Sequence, residues 1–302
     1  MMSQERGSRF FRHLFDAERP ETPGDAVFFK IFELFVVIAS MQLAWSWGFY
    51  IPRISDVVLP LGIANYVGLD FMFNSQAPVI NAVLISGLVL AGFVRVWRYA
   101  YIVAFALLHL QYAARYSLGE IPHSSNLLGM TLLGLGLAML LYSDDDHRRR
   151  FTLGYTYFFV GVGYTLAGVS KLVGTGILWP DGRHLWIWVH EKSIDQFAKS
   201  GILELNGLQE LILSSHIVAT AFLCAGLLTE LTSFLVCWRR FRVPIMLAIL
   251  GMHAGIYIVM NIIFTLTTYE LVLLALPWPV WLNAAIERVS WLRRFQKMPV
   301  SR

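Results

Sequence analysis

Residues 151–173 read FTLGYTYFFVGVGYTLAGVSKLV, an apolar run from Phe151 to Val173 whose one charged residue is Lys171. About 20 apolar residues suffice for a helix to cross a bilayer. A charge deep in such a helix costs roughly 2.5–3.5 kcal/mol on insertion scales, unless it snorkels to the interface or finds a partner. Lys171 is therefore either an interfacial anchor or a functional group, and the run marks the chain as a membrane protein.

The rest of the sequence agrees with that reading. Of 302 residues, 57% are hydrophobic and only 15% charged, against about 25% charged in a typical soluble domain. Eight apolar segments are expected as spans: Ala26 to Tyr50, Pro78 to Val96, Tyr99 to Leu118, Ser124 to Tyr142, Phe151 to Val173, Leu208 to Cys237, Val243 to Phe264 and Leu266 to Ile286. Inside lipid every backbone polar group must be satisfied internally, so these segments are read as helices. The expected fold is all-α, a polytopic membrane helix bundle. It has a basic N-terminal segment (1–25), a transmembrane domain (26–287) and a basic tail (288–302).

Charge sets the expected orientation. Arg95 and Arg98, Arg148 to Arg150, Arg239, Arg240 and Arg242, and the Arg-rich ends fall in alternate gaps, whereas the other gaps hold few basic residues. The positive-inside rule places the first set, and with it both termini, in the cytoplasm. That requires an even number of spans, as counted. The net charge of +4 is spread over these gaps, so nucleic acid is not an expected partner; membrane lipids are. A multi-pass protein of a bacterial inner membrane is expected. The N-terminal segment lacks the short apolar core and small-residue cleavage site of a signal peptide. Cys224 and Cys237 lie 13 residues apart in one apolar segment, about 20 Å along a helix, too far to pair.

Depth counted along the helices places Lys171, Arg115, His123, Glu270, Asn261, His216, His253 and His109 at mid-membrane or nearer the outer face. Glu33 and Glu230 fall nearer the inner face, where Glu230 is read as a partner for a basic residue such as Arg239. Each polar residue also has a plain structural reading. Lys171 can snorkel, His123 can open a helix capped by Ser124 or Ser125, and a lone His is commonly a packed, hydrogen-bonded residue. No His, Cys or carboxylate spacing suggests a metal site.

The stretch Tyr164-Thr165-Leu166-Ala167-Gly168-Val169-Ser170-Lys171-Leu172, followed by Trp179-Pro180-Asp181-Gly182, resembles the signature of the vitamin K-dependent γ-carboxylase-like family, also called HTTM-domain proteins. His123-Ser124-Ser125-Asn126 is similar to the family's His-containing helix start. Glu230, and His253 through Met260-Asn261 to Phe264, resemble its later motif. The resemblance implies a lyase- or oxidoreductase-type enzyme that performs base-initiated chemistry on a quinol or similar lipid-soluble substrate in an outward-facing pocket. Its cofactor would be a reduced, vitamin K-like quinone. Lys171 would be the base and His123 an orienting group, with Asn126, Arg115, Tyr164, His253, Asn261 and Glu270 lining the site. In the carboxylase a large domain follows the membrane region, where only a short basic tail is expected here, so the resemblance does not extend to carboxylation of glutamate. The alternatives are a non-catalytic membrane protein for maturation, export or immunity of a small peptide, and a transporter.

Overall fold

The computed structural model describes residues 9–17, 19–53, 59, 61–73, 75–119 and 123–288, without the side chains of residues 63, 123 and 124. Twelve α-helices and no strand occur among the described residues. The chain divides into two compact units, residues 1–156 with 276–302 and residues 157–275. The basic tail beyond residue 288 and the first eight residues lie outside the described set.

Unit 1 holds α1 (residues 9–14), α2 (Pro23–Tyr50), α3 (Ala77–Phe93), α4 (Ala100–Ser117), α5 (His123–Leu141), the first part of α6 (Asp145–Thr175) and α12 (Trp278–Arg288). Helix α2 begins at a capping box. The Thr22 hydroxyl accepts from the Asp25 backbone N–H, the Asp25 carboxylate accepts from Thr22, and Pro23 fills the first helical position, where its missing N–H costs nothing. Phe28, Phe32, Val36, Leu43 and Trp47 recur at helical spacing and are buried, so α2 forms the spine on which α3, α4, α5 and α12 pack. Gly24 is required there: a Cβ at this position would come within 2.2 Å of the Pro279 carbonyl oxygen.

Glu33 is completely buried in this spine. Its carboxylate accepts from both terminal nitrogens of Arg95, from Tyr101 Oη at 2.9 Å and from Lys30 Nζ at 3.1 Å. Arg95 adopts φ +62° just past the end of α3, a left-handed conformation that is uncommon for a residue with a side chain. The double contact with Glu33 holds it there. Arg150 donates to the backbone carbonyls of Asp16 and Arg19 and so ties the N-terminal segment to the start of α6.

Unit 2 holds the rest of α6 with α7 (Gly182–Ser200), α8 (Gly207–Ser214), α9 (His216–Thr232), a 3-10 turn (Ser233–Cys237), α10 (Arg239–Met260) and α11 (Thr265–Ala275). Asp181 caps α7 and Gly201, at φ +71°, ends it. Leu185, Val189, Ile212, Ala219, Leu223 and Val259 form its core. Cys224 and Cys237 are both free thiols.

Four helical segments are long and apolar enough to cross a membrane: Pro23–Arg53, Asp145–Thr175, His216–Cys237 and Arg239–Met260. Helices α11 and α12, separated by a short break, make a fifth if counted as one span. The run from Phe151 to Val173 lies inside the second of these, which starts earlier because Asp145 and Asp146 occupy its first turn, where acidic residues favour a helix. Two expected spans are divided. Leu208 to Cys237 breaks at Ser215, whose extended backbone (φ −141°, ψ 110°) ends α8 and whose hydroxyl caps α9. Leu266 to Ile286 breaks at Leu276-Pro277, because Pro277 has no N–H to continue the helix. Helices α3 and the described part of α5, Ser125–Leu141, are apolar but shorter. Helix α4 has 18 residues but carries Gln111, His109 and Arg115.

Candidate functional site

The polar centre of unit 2 is built where the C-terminal half of α6 meets the end of α9. Gly168 makes that meeting close. A Cβ there would lie 3.1 Å from Glu230 Cβ and from a Leu231 methyl group. One turn away, Thr165 fixes the register, its hydroxyl donating to the Glu230 carbonyl at 3.3 Å and accepting from the Phe234 N–H at 3.1 Å. Tyr164, Gly168 and Lys171 stand at i, i+4 and i+7, on one face of α6. The clamp therefore sets the Glu230 carboxylate opposite the Lys171 ammonium.

The two groups are in direct contact. Lys171 Nζ donates to both carboxylate oxygens of Glu230, at 2.6 and 2.7 Å, and lies 5.4 Å from the centre of the Trp179 ring. Against the sequence expectation, Glu230 thus neither pairs with Arg239 nor lies at a different depth from Lys171; the close approach at Gly168 brings it to Lys171. Lys171 and Glu230 both line a cavity of about 530 Å³ whose walls are otherwise almost wholly apolar, with Trp179, Trp188, Phe222 and Phe264 among them.

A second polar contact lies beside this cavity. Tyr164 Oη and His253 Nε2 are 2.5 Å apart. The His253 ring packs edge-on against Phe264, with centroids 5.1 Å apart. His253 is buried, and its Nδ1 has no hydrogen-bond partner among the described residues. Phe264 belongs to both groups, since it also lines the cavity.

At the entrance to α7, His216 Nε2 lies 2.6 Å from Asp181 Oδ1. The Arg183 backbone N–H and this histidine hold the Asp181 carboxyl below its usual value. His184 Nδ1 sits 2.7 Å from the Trp179 carbonyl, fixing the segment that carries Trp179.

The expected site residues therefore fall in different places. Lys171 is on the cavity, and Tyr164 and His253 form the adjoining pair. Asn261 takes a backbone role: it ends α10 in the left-handed conformation (φ 53°, ψ 32°), its N–H donating to the Tyr257 carbonyl, as asparagine tolerates well. Glu270 is completely buried in α11. The other three belong to unit 1. Arg115 covers the Trp47 and Tyr50 rings at 5.4 and 4.8 Å. Asn126 is exposed, within hydrogen-bonding reach of Tyr112. His123 opens α5, and its side chain lies outside the described residues. Glu230 is the residue whose role sequence reasoning missed. Its signal was present, as the one charged residue of α9: a lone carboxylate in an apolar helix demands a counter-charge. Among the described residues no group of three His, Cys, Asp or Glu is placed to hold a metal.

Compared with protein-family models, with curated proteins and with solved structures, the chain matches none.

Proposed function

We propose that this is a multi-pass protein of a bacterial inner membrane, of the γ-carboxylase-like kind, with eight spans and both termini cytoplasmic. It performs base-initiated chemistry on a quinol or a similar hydroxyl-bearing, lipid-soluble molecule held in the cavity of unit 2. The observation that carries the reading is the Lys171–Glu230 pair on the wall of that apolar cavity. A cavity of this size lies within the usual range for small-molecule sites, which are mostly apolar with a few placed polar groups. The pair brings no net charge, and it offers a donor and an acceptor side by side. That combination suits a neutral hydroxyl.

A quinol held there supplies an acidic hydroxyl and two reducing electrons. The protein's own part is proton handling. Glu230 accepts the hydroxyl proton, and Lys171 presents positive charge beside the oxygen that gave it up. The Trp179 ring lies 5.4 Å from the ammonium and adds a cation–π attraction. In this reading Glu230 takes the base role that the resemblance assigns to Lys171, and Lys171 stabilises the oxyanion. His123 keeps its orienting role on the resemblance alone.

The test is quinol consumption in membranes carrying K171A or E230Q. Positioned acid–base groups contribute typically 10²–10⁴-fold, so turnover is expected to fall by about a hundredfold or more at equal expression. Unchanged turnover would end the enzyme reading. A second reading has one observation in its favour: both Glu230 oxygens are already engaged by Lys171, as in a structural ion pair. It makes the protein a non-catalytic partner in maturation, export or immunity of a small peptide. That reading expects K171A to lower the amount of folded protein and to leave quinol levels untouched.

A further inference from the structure

Helix α7 has the length of a span but not the composition. Its 19 residues include Arg183, Glu191, Lys192, Asp195 and Lys199, and it is not among the helices apolar enough to cross a membrane. Its side chains sort into three sectors, each within about 100° around a helix of 3.6 residues per turn. Gly182, Leu185, Val189 and Ser193 are buried, Leu185 and Val189 in the core of the unit. Glu191, Lys192, Asp195 and Lys199 make a charged sector, in which Lys192 Nζ donates to Glu191 and to Asp195 at 3.0 Å each. Trp186, Ile187, Ile194 and Phe197 make the third, and all four are exposed, Ile194 by 64%. Arg183 and His190 share that third sector. Arg183 sits in the first turn, where a long basic side chain can reach out to polar surroundings. His190 Nδ1 lies 2.9 Å from the Trp186 carbonyl, within the helix.

The attachment of α7 decides what covers the apolar sector. At its start the Gly182 N–H donates to Thr220 Oγ1 at 2.9 Å, in the first turns of α9. Past its end, Asn206 Nδ2 and Gln209 Nε2 donate to the Ile258 and Val259 carbonyls, at the end of α10. Ala219 and Val259 belong to one core, so the start of α9 and the end of α10 lie together. The chain therefore leaves and rejoins the unit at one set of span ends, and every residue from 194 to 207 is exposed. Helical turns without packing are marginal in water, yet α7 continues to Ser200 and carries Ile194 and Phe197 outward. The ends of spans mark the level where the hydrocarbon of a bilayer gives way to headgroups. Full insertion of α7 would drive its charges into hydrocarbon, and full exposure would leave the apolar sector in water. Lying along the boundary satisfies both sectors, as in helices that rest on a membrane without crossing it.

We propose that α7 is an interfacial lipid anchor. It lies along the bilayer surface at the ends of α9 and α10, the outer surface in the orientation proposed above. Trp186, Ile187, Ile194 and Phe197 sit among the upper acyl chains, and the charged sector faces water. Because Lys192 is neutralised by Glu191 and Asp195, the partner is the apolar layer of the bilayer and not an anionic headgroup. The inference is independent of what the cavity holds.

The experiment places a nitroxide label on the full-length protein in phosphatidylcholine nanodiscs, at I194C, F197C, E191C or K199C in a C224A/C237A background, and measures collision with oxygen and with a water-soluble nickel chelate. Labels at 194 and 197 are expected to favour oxygen over nickel by severalfold relative to those at 191 and 199, with no anionic lipid present. Equal nickel access at all four positions overturns the proposal by placing the helix in water. Labels at 194 and 197 shielded from both reagents also overturn it, by showing that the sector packs on protein, a second copy included. If the cysteine-free background does not accumulate, the wild type in nanodiscs containing a phosphatidylcholine with a diazirine on its acyl chain carries the same test. Cross-links are then expected in the tryptic peptide 193–199. Their absence, with α9 and α10 labelled, overturns the proposal.

Discussion

Lys171 and Glu230, 59 residues apart in sequence, meet through two hydrogen bonds of 2.6 and 2.7 Å between one ammonium and both oxygens of one carboxylate. The lysine keeps 29% of its side-chain exposure and the glutamate 11%. Breaking a fully enclosed pair costs roughly 3–5 kcal/mol, because it strands a charge. Here K171M is expected to cost less, about 1–3 kcal/mol, since solvent still reaches the ammonium side. The double variant K171M/E230L removes both charges and should recover most of that loss. Unfolding in mixed detergent micelles measures both. A double variant no more stable than K171M would show that the two residues are not energetically coupled.

Glu33 offers the sharper case for stability. It has no solvent exposure and gathers Arg95, Tyr101 and Lys30 around one carboxylate. E33Q keeps the shape and removes the charge that holds Arg95 at φ +62°. The expected loss is about 3–5 kcal/mol, the cost of stranding a buried partner. A thermal unfolding midpoint equal to that of the wild type would contradict this.

Asp181 gives a pH signature. Its carboxyl lies below the ordinary value of 3.8 because of the Arg183 N–H and His216. A group whose folded value is depressed contributes stability that is present above its unfolded value and is lost as pH falls through the folded one. The start of α7 should therefore hold at pH 5 and above, and loosen as pH falls below about 4. D181N should remove that acid-dependent step. Hydrogen exchange at residues 183–186 across this range reads it. A step that persists in D181N would assign it to another group.

Much of the architecture was legible because it rests on local rules. The run from Phe151 to Val173 is apolar over the length a span requires, and it lies within one helix, α6. The caps at Thr22 with Asp25, Asn206 with Gln209, and Asp181 are also local in sequence, although the expected spans rest on hydropathy without them. What escaped was set by contacts distant in sequence, or by single residues that interrupt an apolar run. The division at Ser215 is invisible to hydropathy, since Leu208 to Ser214 and His216 to Thr232 are both apolar; only the hydroxyl that caps α9 announces it. Glu230 was assigned to the nearest basic cluster along the chain, but Gly168 brings α6 close enough to claim it. Asn261 stood out as a polar residue in an apolar segment, and its place is explained by backbone geometry at the end of α10.

Unit 1 is assembled from two stretches of the polypeptide, one on each side of unit 2 in sequence. The Gly24 N–H donates to Asn283 Oδ1 at 3.3 Å, and Pro279 presses against Gly24 where no side chain could fit. Residues 157–275 belong to the other unit, so every one of them leaves the ribosome before Pro279 does. During synthesis the Gly24–Pro279 contact therefore forms only after residues 157–275 have been made. Helix α2 waits with one flank open while residues 157–275 are made, and α12 closes it. A message cut short after codon 275 would yield a complete unit 2 beside a unit 1 that lacks the helix covering Gly24.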